Sequence, residues 1–121
     1  MKKILIVEDN KETREMLAEI LKTSDYDVMT AENGRFALEV LEAGENPDII
    51  IMDVRMPEMD GLQASKLIRE NPKTKNIPIL FSSIFRDIQS AAISGLHNCD
   101  FLEKPYKPEK LLGKIKILLS K

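Results

Sequence analysis

The fold of this chain is decided by the stretch Ile49-Ile50-Ile51-Met52-Asp53-Val54-Arg55-Met56-Pro57-Glu58-Met59-Asp60-Gly61. An apolar run leads directly into Asp53, and a proline and an Asp-Gly pair follow within a few residues. A short apolar run between such breakers predicts a fully buried strand that is followed by a turn. We therefore expect Asp53 at the carboxyl end of a central strand, where open α/β sheets bind their ligands.

The composition is that of an ordinary globular protein. The chain has 121 residues, of which 43% are hydrophobic and 31% charged, and its formal net charge is −2. This length fits one domain over residues 1–121, and the near balance of charge predicts no direct nucleic-acid binding. The apolar run after Lys3 is too short for a signal peptide or a membrane span. Cys99 is the only cysteine, so no intrachain disulfide can form, and we expect a cytoplasmic protein without membrane contact.

Apolar runs alternate with amphipathic stretches along the whole chain. The strands are predicted at 4–7, 27–31, 48–52, 77–81 and 100–102, and the helices at 11–23, 34–43, 61–70, 86–95 and 108–119. This alternation predicts an α/β fold in which helices cover both faces of a parallel sheet. The second strand is less apolar than the others and is expected at an edge of the sheet.

The predicted helices carry start and stop signals. Asn10, Asn33 and Asp60 stand where N-caps are expected, and Gly44 stands where a left-handed C-cap is common. The residues expected to face the core from the first three helices are Met16, Leu17, Ile20 and Leu21, then Phe36, Ala37, Val40 and Leu41, then Leu62, Ala64, Leu67 and Ile68.

Polar side chains follow the predicted strands at their carboxyl ends. They are Glu8 and Asp9 after the first strand, Asp53 after the third, Ser82 and Ser83 after the fourth, and Lys104 after the fifth. Because the strand-to-helix loops of a parallel sheet converge at one edge, we expect these residues to meet in space. One acid after an apolar run is a weak signal, whereas a whole set at corresponding positions is a strong one.

The three carboxylates predict a metal site for phosphoryl chemistry. Crowded carboxylates repel one another and raise the pKa of at least one of them. A hard cation removes this conflict, and Mg²⁺ fits because it takes one or two carboxylates and keeps waters for a phosphate. With Lys104 it would form a cationic clamp for a phosphoryl group. Asp53, on the innermost strand, is then the candidate nucleophile, and Ser83 is a candidate hydrogen-bond donor to a phosphoryl oxygen.

Three motifs resemble the receiver domain of two-component response regulators, in particular single-domain, chemotaxis-regulator-like receivers. They are Ile6-Val7-Glu8-Asp9, Asp53 followed by Met56-Pro57-Glu58-Met59-Asp60-Gly61, and Lys104-Pro105. The resemblance covers the whole chain, residues 1–121. It implies a doubly wound (βα)5 flavodoxin-like fold with a five-stranded parallel sheet in the order 2-1-3-4-5.

The resemblance also implies the roles of the site residues. Asp53 would receive a phosphoryl group from a sensor histidine kinase or a phosphotransfer protein, so the chain would be a regulatory phosphoacceptor and not an enzyme. Asp9 and Asp53 would bind Mg²⁺ directly, together with the backbone carbonyl of Arg55, and Glu8 would act through water. Lys104 would pair with the phosphoryl group.

A switch beside the acceptor is implied as well. Ser83 stands where the family has its switch Ser/Thr, and Phe101 stands where it has its switch aromatic. Phosphorylation would draw Ser83 towards the phosphoryl group and let Phe101 rotate. This would reshape a face for a downstream protein target, made of the fourth predicted helix, the fifth strand and the last helix. The Lys104–Pro105 peptide bond would be cis.

Three alternative functions compete with a phosphoacceptor role. The first is a receiver-fold interaction module that signals without phosphorylation. Only Ile84 favours it, because the family usually has a small residue there and a branched side chain would narrow access to the acceptor. The second is an aspartyl-phosphate phosphohydrolase, which needs an acid where this chain has Arg55. The third, a flavin-binding protein, needs a phosphate-cradling loop where this chain has Glu8-Asp9-Asn10-Lys11.

Overall fold

The computed structural model of the chain describes residues 1–84 and 98–121. Its strands are β1 (Lys3–Val7), β2 (Asp27–Ala31), β3 (Ile49–Asp53), β4 (Ile79–Ser83) and β5 (Cys99–Glu103). Its helices are α1 (Lys11–Thr23), α2 (Gly34–Glu42), α3 (Gly61–Glu70) and a C-terminal helix (Pro108–Leu119). The helix predicted at 86–95 lies outside the described residues.

All five strands form one parallel sheet in the order β2-β1-β3-β4-β5. This order confirms the predicted doubly wound fold, with β3 in the centre and β2 at an edge. The central strand β3 is buried along its whole length. Asp53 is its last residue, so the acceptor candidate lies at the carboxyl end of the innermost strand.

The strands β3 and β4 reach further towards this edge than predicted. Asp53 belongs to β3, and Ser82 and Ser83 are the last residues of β4, whereas the predicted strands stop at 52 and 81. The reason is that β4 begins later than expected. The N–H of Ile77 binds the carbonyl oxygen of Thr74 at 3.1 Å, so Ile77 still belongs to the preceding turn. Pro78 lacks an N–H, and its carbonyl accepts a hydrogen bond from β3.

The sheet separates two apolar clusters, because successive side chains of a strand point to opposite faces. The α3 face, covered by α2 and α3, carries the strand residues Leu5, Val7, Ile50, Met52, Ile79 and Phe81. The α1 face, covered by α1 and the C-terminal helix, carries Ile4, Ile6, Ile49, Ile51, Leu80 and Leu102. Burial of these two clusters is the main stabilising contribution to the fold.

The predicted helix caps are confirmed. The side chains of Asn10, Asn33 and Asp60 accept hydrogen bonds from backbone N–H groups three residues on, at 2.9, 2.9 and 2.8 Å. Gln63 completes a capping box with Asp60. Gly44 has a φ of 101° directly after α2, the left-handed conformation that glycine adopts without strain.

Three residues that were expected to face the core are exposed instead. Met16, Phe36 and Leu67 are 54%, 47% and 43% exposed. In α1 the buried residues are Leu17 and Leu21, and in α2 and α3 the buried stripe contains small residues, namely Gly34, Ala37, Gly61, Ala64 and Ser65. The prediction included Ala37 and Ala64 but extended the stripe to Phe36 and Leu67, which lie beyond its border. No helix within the described residues is long and apolar enough to cross a membrane.

Candidate functional site

Four polar side chains continue the rows of the α1 face beyond its apolar core. They are Glu8, Asp53, Ser82 and Lys104, each two positions after a core residue of that face, namely Ile6, Ile51, Leu80 and Leu102. The ladder holds their backbones in line, because the N–H of Glu8 binds Ala31 O at 3.1 Å and the N–H of Lys104 binds Ser83 O at 2.8 Å. The site is therefore an extension of the sheet, and the strands fix its geometry.

Lys104 connects two buried carboxylates. Its Nζ lies 3.2 Å from Asp53 Oδ1 and 3.7 Å from Glu8 Oε1. The residues Asp53 and Glu8 are only 8% and 4% exposed. Because Lys104 follows β5 and Asp53 ends β3, the lysine side chain crosses over β4 to reach its partner. A single ammonium thus serves two carboxylates in a largely dry environment.

Two further groups hold Glu8 and Asp9 in place. The backbone N–H of Asn10 donates to Glu8 Oε2 at 3.1 Å. Arg14, in the first turn of α1, donates from Nη1 to the backbone carbonyl of Glu8 at 2.8 Å and approaches that of Asp9 at 3.4 Å. Arg14 was not among the predicted site residues, since a side chain that binds loop carbonyls follows no characteristic residue spacing.

The carboxylates of Glu8, Asp9 and Asp53 fit a divalent metal ion. One oxygen from each lies within 4.8 Å of the others, and no second group of this kind occurs in the described part of the chain. Hard carboxylate oxygens are the ligands that Mg²⁺ prefers. Asp9 is exposed and lines an open depression together with Arg55. Arg55 therefore lies near Asp9 in this depression, and the role of its backbone carbonyl as a metal ligand stays a prediction.

The electrostatics of the site favour an added cation. Burial raises the pKa of Glu8 to about 7, and the nearby Asp53 carboxylate adds to this rise, while the Asn10 N–H and Lys104 oppose it. Burial also raises the pKa of Asp53, against the opposing effect of Lys104. Burial by itself would lower the pKa of Lys104, but the two carboxylates raise it. The site therefore holds more negative charge than Lys104 alone can balance.

The two serines of β4 lie in different rows. The β3–β4 register pairs Asp53 with Ser82, and Ser82 continues the row of Leu80 on the α1 face. The Ser82 Oγ atom is buried and has no hydrogen-bond partner among the described residues. Ser83 continues the row of Phe81 on the opposite α3 face. The serine that the register places beside Asp53 is thus Ser82, for which the sequence predicted no separate role.

Phe101 on β5 lies on the same face of the sheet as Ser83, because it is the register partner of Phe81. Its ring stacks on Phe81 with a centroid separation of 5.1 Å and an interplanar angle of 24°. The structure therefore brings Glu8, Asp9, Asp53 and Lys104 together. It places Ser83 and Phe101 on the opposite face of the sheet. The Lys104–Pro105 peptide bond is cis, as the resemblance implied.

Comparison with known families identifies the chain. The family model described as the response regulator receiver domain matches residues 4–116. The chain belongs to the receiver domain family. Receiver domains act in two-component signal transduction. The family match confirms the predicted family, and the strand order confirms the predicted fold.

The receiver domain is 36% identical over 121 residues to response regulator MprA of Mycolicibacterium vanbaalenii, a match that covers 98% of the chain and 51% of MprA. The chain thus spans about half the length of this curated relative. The receiver domain of a signal transduction histidine kinase from Syntrophus aciditrophicus superposes with a TM-score of 0.89 at 36% identity, over 99% of this chain and 91% of that one. Response regulator TrrA from Thermotoga maritima, in complex with Mg²⁺–BeF, gives a TM-score of 0.86 at 32% identity, over 98% of this chain and 99% of that one.

Proposed function

We propose that this receiver domain, taken as one unit over residues 1–121, accepts a phosphoryl group on Asp53 in a reaction that requires Mg²⁺. The donor is the phosphohistidine of a sensor histidine kinase or of a phosphotransfer protein. The observation that carries the proposal is the buried pair of Asp53 Oδ1 and Lys104 Nζ, 3.2 Å apart inside a cluster of three carboxylates. The similarity to TrrA, which was solved with Mg²⁺–BeF, supports the choice of metal.

The residues of the site have separate tasks in this reaction. Glu8, Asp9 and Asp53, with the backbone carbonyl of Arg55, would hold Mg²⁺, which supplies positive charge beside the transferring phosphoryl group. A carboxylate oxygen of Asp53 attacks phosphorus, and the new O–P bond forms as the P–N bond to histidine breaks. The histidine nitrogen leaves with the electron pair of that bond. Lys104 pairs with a phosphoryl oxygen and offsets its charge.

The site fits an acceptor better than a hydrolase. Arg55 stands two residues past Asp53, where a phosphohydrolase of aspartyl phosphates needs an acid. The chain is therefore a regulatory phosphoacceptor that assists its own phosphorylation and slow dephosphorylation. The reading as an interaction module without phosphorylation is not favoured, because the three carboxylates and Lys104 are all in place.

The output of the switch is proposed to pass through β5 and the C-terminal helix to a downstream protein target. Ser83 and Phe81 are two residues apart on β4, and Phe101 on β5 stacks on Phe81. A hydroxyl drawn towards the phosphoryl group would thus disturb the packing that holds Phe101. Lys114 on the C-terminal helix pairs with Asp100 of β5 at 3.3 Å, so an ion pair links the two elements.

The acceptor is tested with a small acyl phosphate as donor in the presence of Mg²⁺. We expect the parent to take up one phosphoryl group and Asp53→Asn to take up none, as measured by the mass of the intact protein. Asp27→Asn is the matched control, because Asp27 is an exposed acid at the opposite edge of the sheet. Uptake by Asp53→Asn would show that another residue is the acceptor. No uptake by the parent would support the interaction module instead.

The output is tested with beryllium fluoride and Mg²⁺, which mimic the phosphoryl group without turnover. We expect the NMR signals of the Phe101 ring to shift in the parent and to stay unchanged in Asp53→Asn. If the Phe101 signals do not respond in the parent, Phe101 is not part of the switch.

A further inference from the structure

The Ser82 hydroxyl is a buried polar group that the proposed function leaves unused. Ser82 is 3% exposed, and its Oγ has no hydrogen-bond partner among the residues that the structure describes. A buried hydroxyl without a partner destabilises the fold that contains it, so such groups are rare and call for an explanation.

Ser82 lies directly beneath the side chain of the site lysine. Its register partners are Asp53 on β3 and Leu102 on β5. Lys104 continues the row of Leu102, and its Nζ reaches Asp53 Oδ1, so the lysine stem passes over β4 at the position of Ser82. Tyr106, which packs against the core of the α1 face, also lies close to Ser82. Burial raises the pKa of Tyr106, and the nearby Ser82 hydroxyl opposes this rise. The geometry between the two hydroxyls is nevertheless not that of a hydrogen bond.

The Lys104 ammonium has donors to spare. It carries three N–H donors, and the structure gives it a hydrogen bond to Asp53 at 3.2 Å and an ion pair with Glu8 at 3.7 Å. A divalent cation that is held by the same carboxylates competes with the ammonium for their oxygens. The Lys104 side chain is 31% exposed, so its ammonium then favours another acceptor, since a partly buried charge without a partner is unfavourable. The lone pairs of Ser82 Oγ offer such an acceptor, because Ser82 is the register partner of Asp53 and its Oγ has no hydrogen bond within the described residues.

We propose that Ser82 is a positioning residue whose Oγ accepts a hydrogen bond from Lys104 Nζ once a divalent cation occupies the carboxylates, so that the ammonium stays above Asp53. The inference deepens the proposed function and rests on it. In the metal-free protein, Lys104 turns to the carboxylates and Ser82 has no partner. In the metal-loaded protein, Lys104 lies across Ser82 and faces the incoming phosphoryl group.

The proposed hydrogen bond forms only in the metal-loaded protein. Removal of the Ser82 hydroxyl should therefore have opposite effects on the stability of the metal-free protein and on the affinity for Mg²⁺. Without metal, Ser82→Ala removes an unpartnered hydroxyl, so its urea midpoint should equal or exceed that of the parent. With Mg²⁺, the same variant lacks a hydrogen bond to a charged group, so its dissociation constant for Mg²⁺ should rise roughly tenfold. Both quantities are measured on the whole chain without any phosphodonor, by urea unfolding and by Mg²⁺ titration.

Ser65→Ala is the matched control. Ser65 is also fully buried, but its Oγ already donates to the Leu62 carbonyl at 2.8 Å inside α3. This variant should lose stability equally with and without Mg²⁺ and keep the parental affinity for the metal. If Ser82→Ala behaves in the same way as Ser65→Ala, the proposal is wrong.

A double-mutant cycle tests whether Lys104 is the partner of Ser82. In a Lys104→Met background, Ser82→Ala should no longer change the affinity for Mg²⁺. An undiminished effect in that background, or an effect that disappears with Tyr106→Phe instead, would overturn the assignment.

The failure of this inference and the failure of the proposed function give different results. If the parent takes up a phosphoryl group while Ser82→Ala keeps the parental Mg²⁺ affinity, only the role of Ser82 is wrong. If the parent takes up none, the proposed function fails, and the Mg²⁺ titration still decides whether Ser82 and Lys104 are coupled.

Discussion

The α-carbon of Gly61 packs against the backbone carbonyl oxygen of Asp53, so closely that a Cβ on Gly61 would overlap this oxygen. The N–H of Gly61 also donates to the carbonyl of Val54 at 2.8 Å. The first turn of α3 is therefore seated directly on the peptide of the acceptor. Only glycine allows this approach, because the atom that a side chain would displace belongs to the central strand.

Gly61→Ala should therefore destabilise the domain. Overpacking of this kind costs about 1–3 kcal/mol, and it should lower the free energy of unfolding measured in urea by this amount. Gly113→Ala is the control, because a Cβ at this position of the C-terminal helix meets nothing within 4 Å. That substitution should stabilise the domain by about 0.5–1 kcal/mol. Equal effects of the two substitutions would show that the acceptor peptide yields easily.

Glu8 should make the stability of the metal-free protein depend on pH. Its pKa rises from 4.5 to about 7 in the folded protein, mainly through burial. Between these values the folded protein keeps a proton that the unfolded chain has lost, so the free energy of unfolding falls as pH rises. We expect a fall on the order of 1–3 kcal/mol across this window, measured by urea unfolding in a chelator. Glu8→Gln should flatten the fall, and an unchanged slope in that variant would contradict the assignment.

Arg14 should support the metal site without touching the metal. Its guanidinium holds the backbone carbonyl of Glu8 at 2.8 Å and so fixes the loop that carries Glu8 and Asp9. Loss of a group that orients metal ligands typically weakens binding by about 10- to 100-fold. We expect a loss of this order in the Mg²⁺ affinity of Arg14→Ala. Lys22→Ala, at the far end of the same helix, removes a positive charge and should leave the affinity unchanged. A similar loss in both variants would point to net charge as the cause.

Ile84 should limit access to the acceptor. It directly follows Ser83 at the end of β4, and 45% of its surface is exposed. We expect Ile84→Ala to take up a phosphoryl group from a small acyl phosphate faster than the parent, or to lose it faster, because the branched side chain no longer narrows the approach. Ile117→Ala, at a comparably exposed position of the C-terminal helix, should match the parent in both rates. Parental rates in Ile84→Ala would sink the prediction.

The acidic part of the site could be predicted because each acid directly follows a buried run of β-branched and aliphatic residues. Glu8 and Asp53 end two such runs, and parallel topology brings the strand ends to one edge. The pattern predicts which residues lie near the strand ends without any knowledge of side-chain contacts, whereas the strand order was implied by the resemblance to the receiver family. Lys104 could be placed by the same argument, and its ion pair with Asp53 at 3.2 Å agrees with it.

The surroundings of the acids could not be predicted in the same way. The register of β4 depends on the turn before it, and the shift of two residues at Pro78 decides which serine stands beside Asp53. Arg14 contributes through backbone carbonyls of a loop, a contact that no residue spacing specifies. In α1 only Leu17 and Leu21 are buried, so the buried stripe is narrower than the run of apolar residues and Met16, which was expected in the core, lies outside it.

Ser82 and Ser83 are neighbours in sequence, yet their side chains leave the sheet on opposite sides. The peptide unit between them therefore separates two faces of the sheet. One face carries Asp53 and Lys104, which are proposed for the phosphoryl chemistry, and the other carries Phe101, which is proposed for the readout. Substitutions around Phe101 can therefore change the readout without altering the carboxylates or Lys104, and Ser83 is the residue through which the two sides are proposed to communicate. The same fold can thus keep its proposed phosphoryl chemistry while the side that carries Phe101 is adapted to a different partner protein.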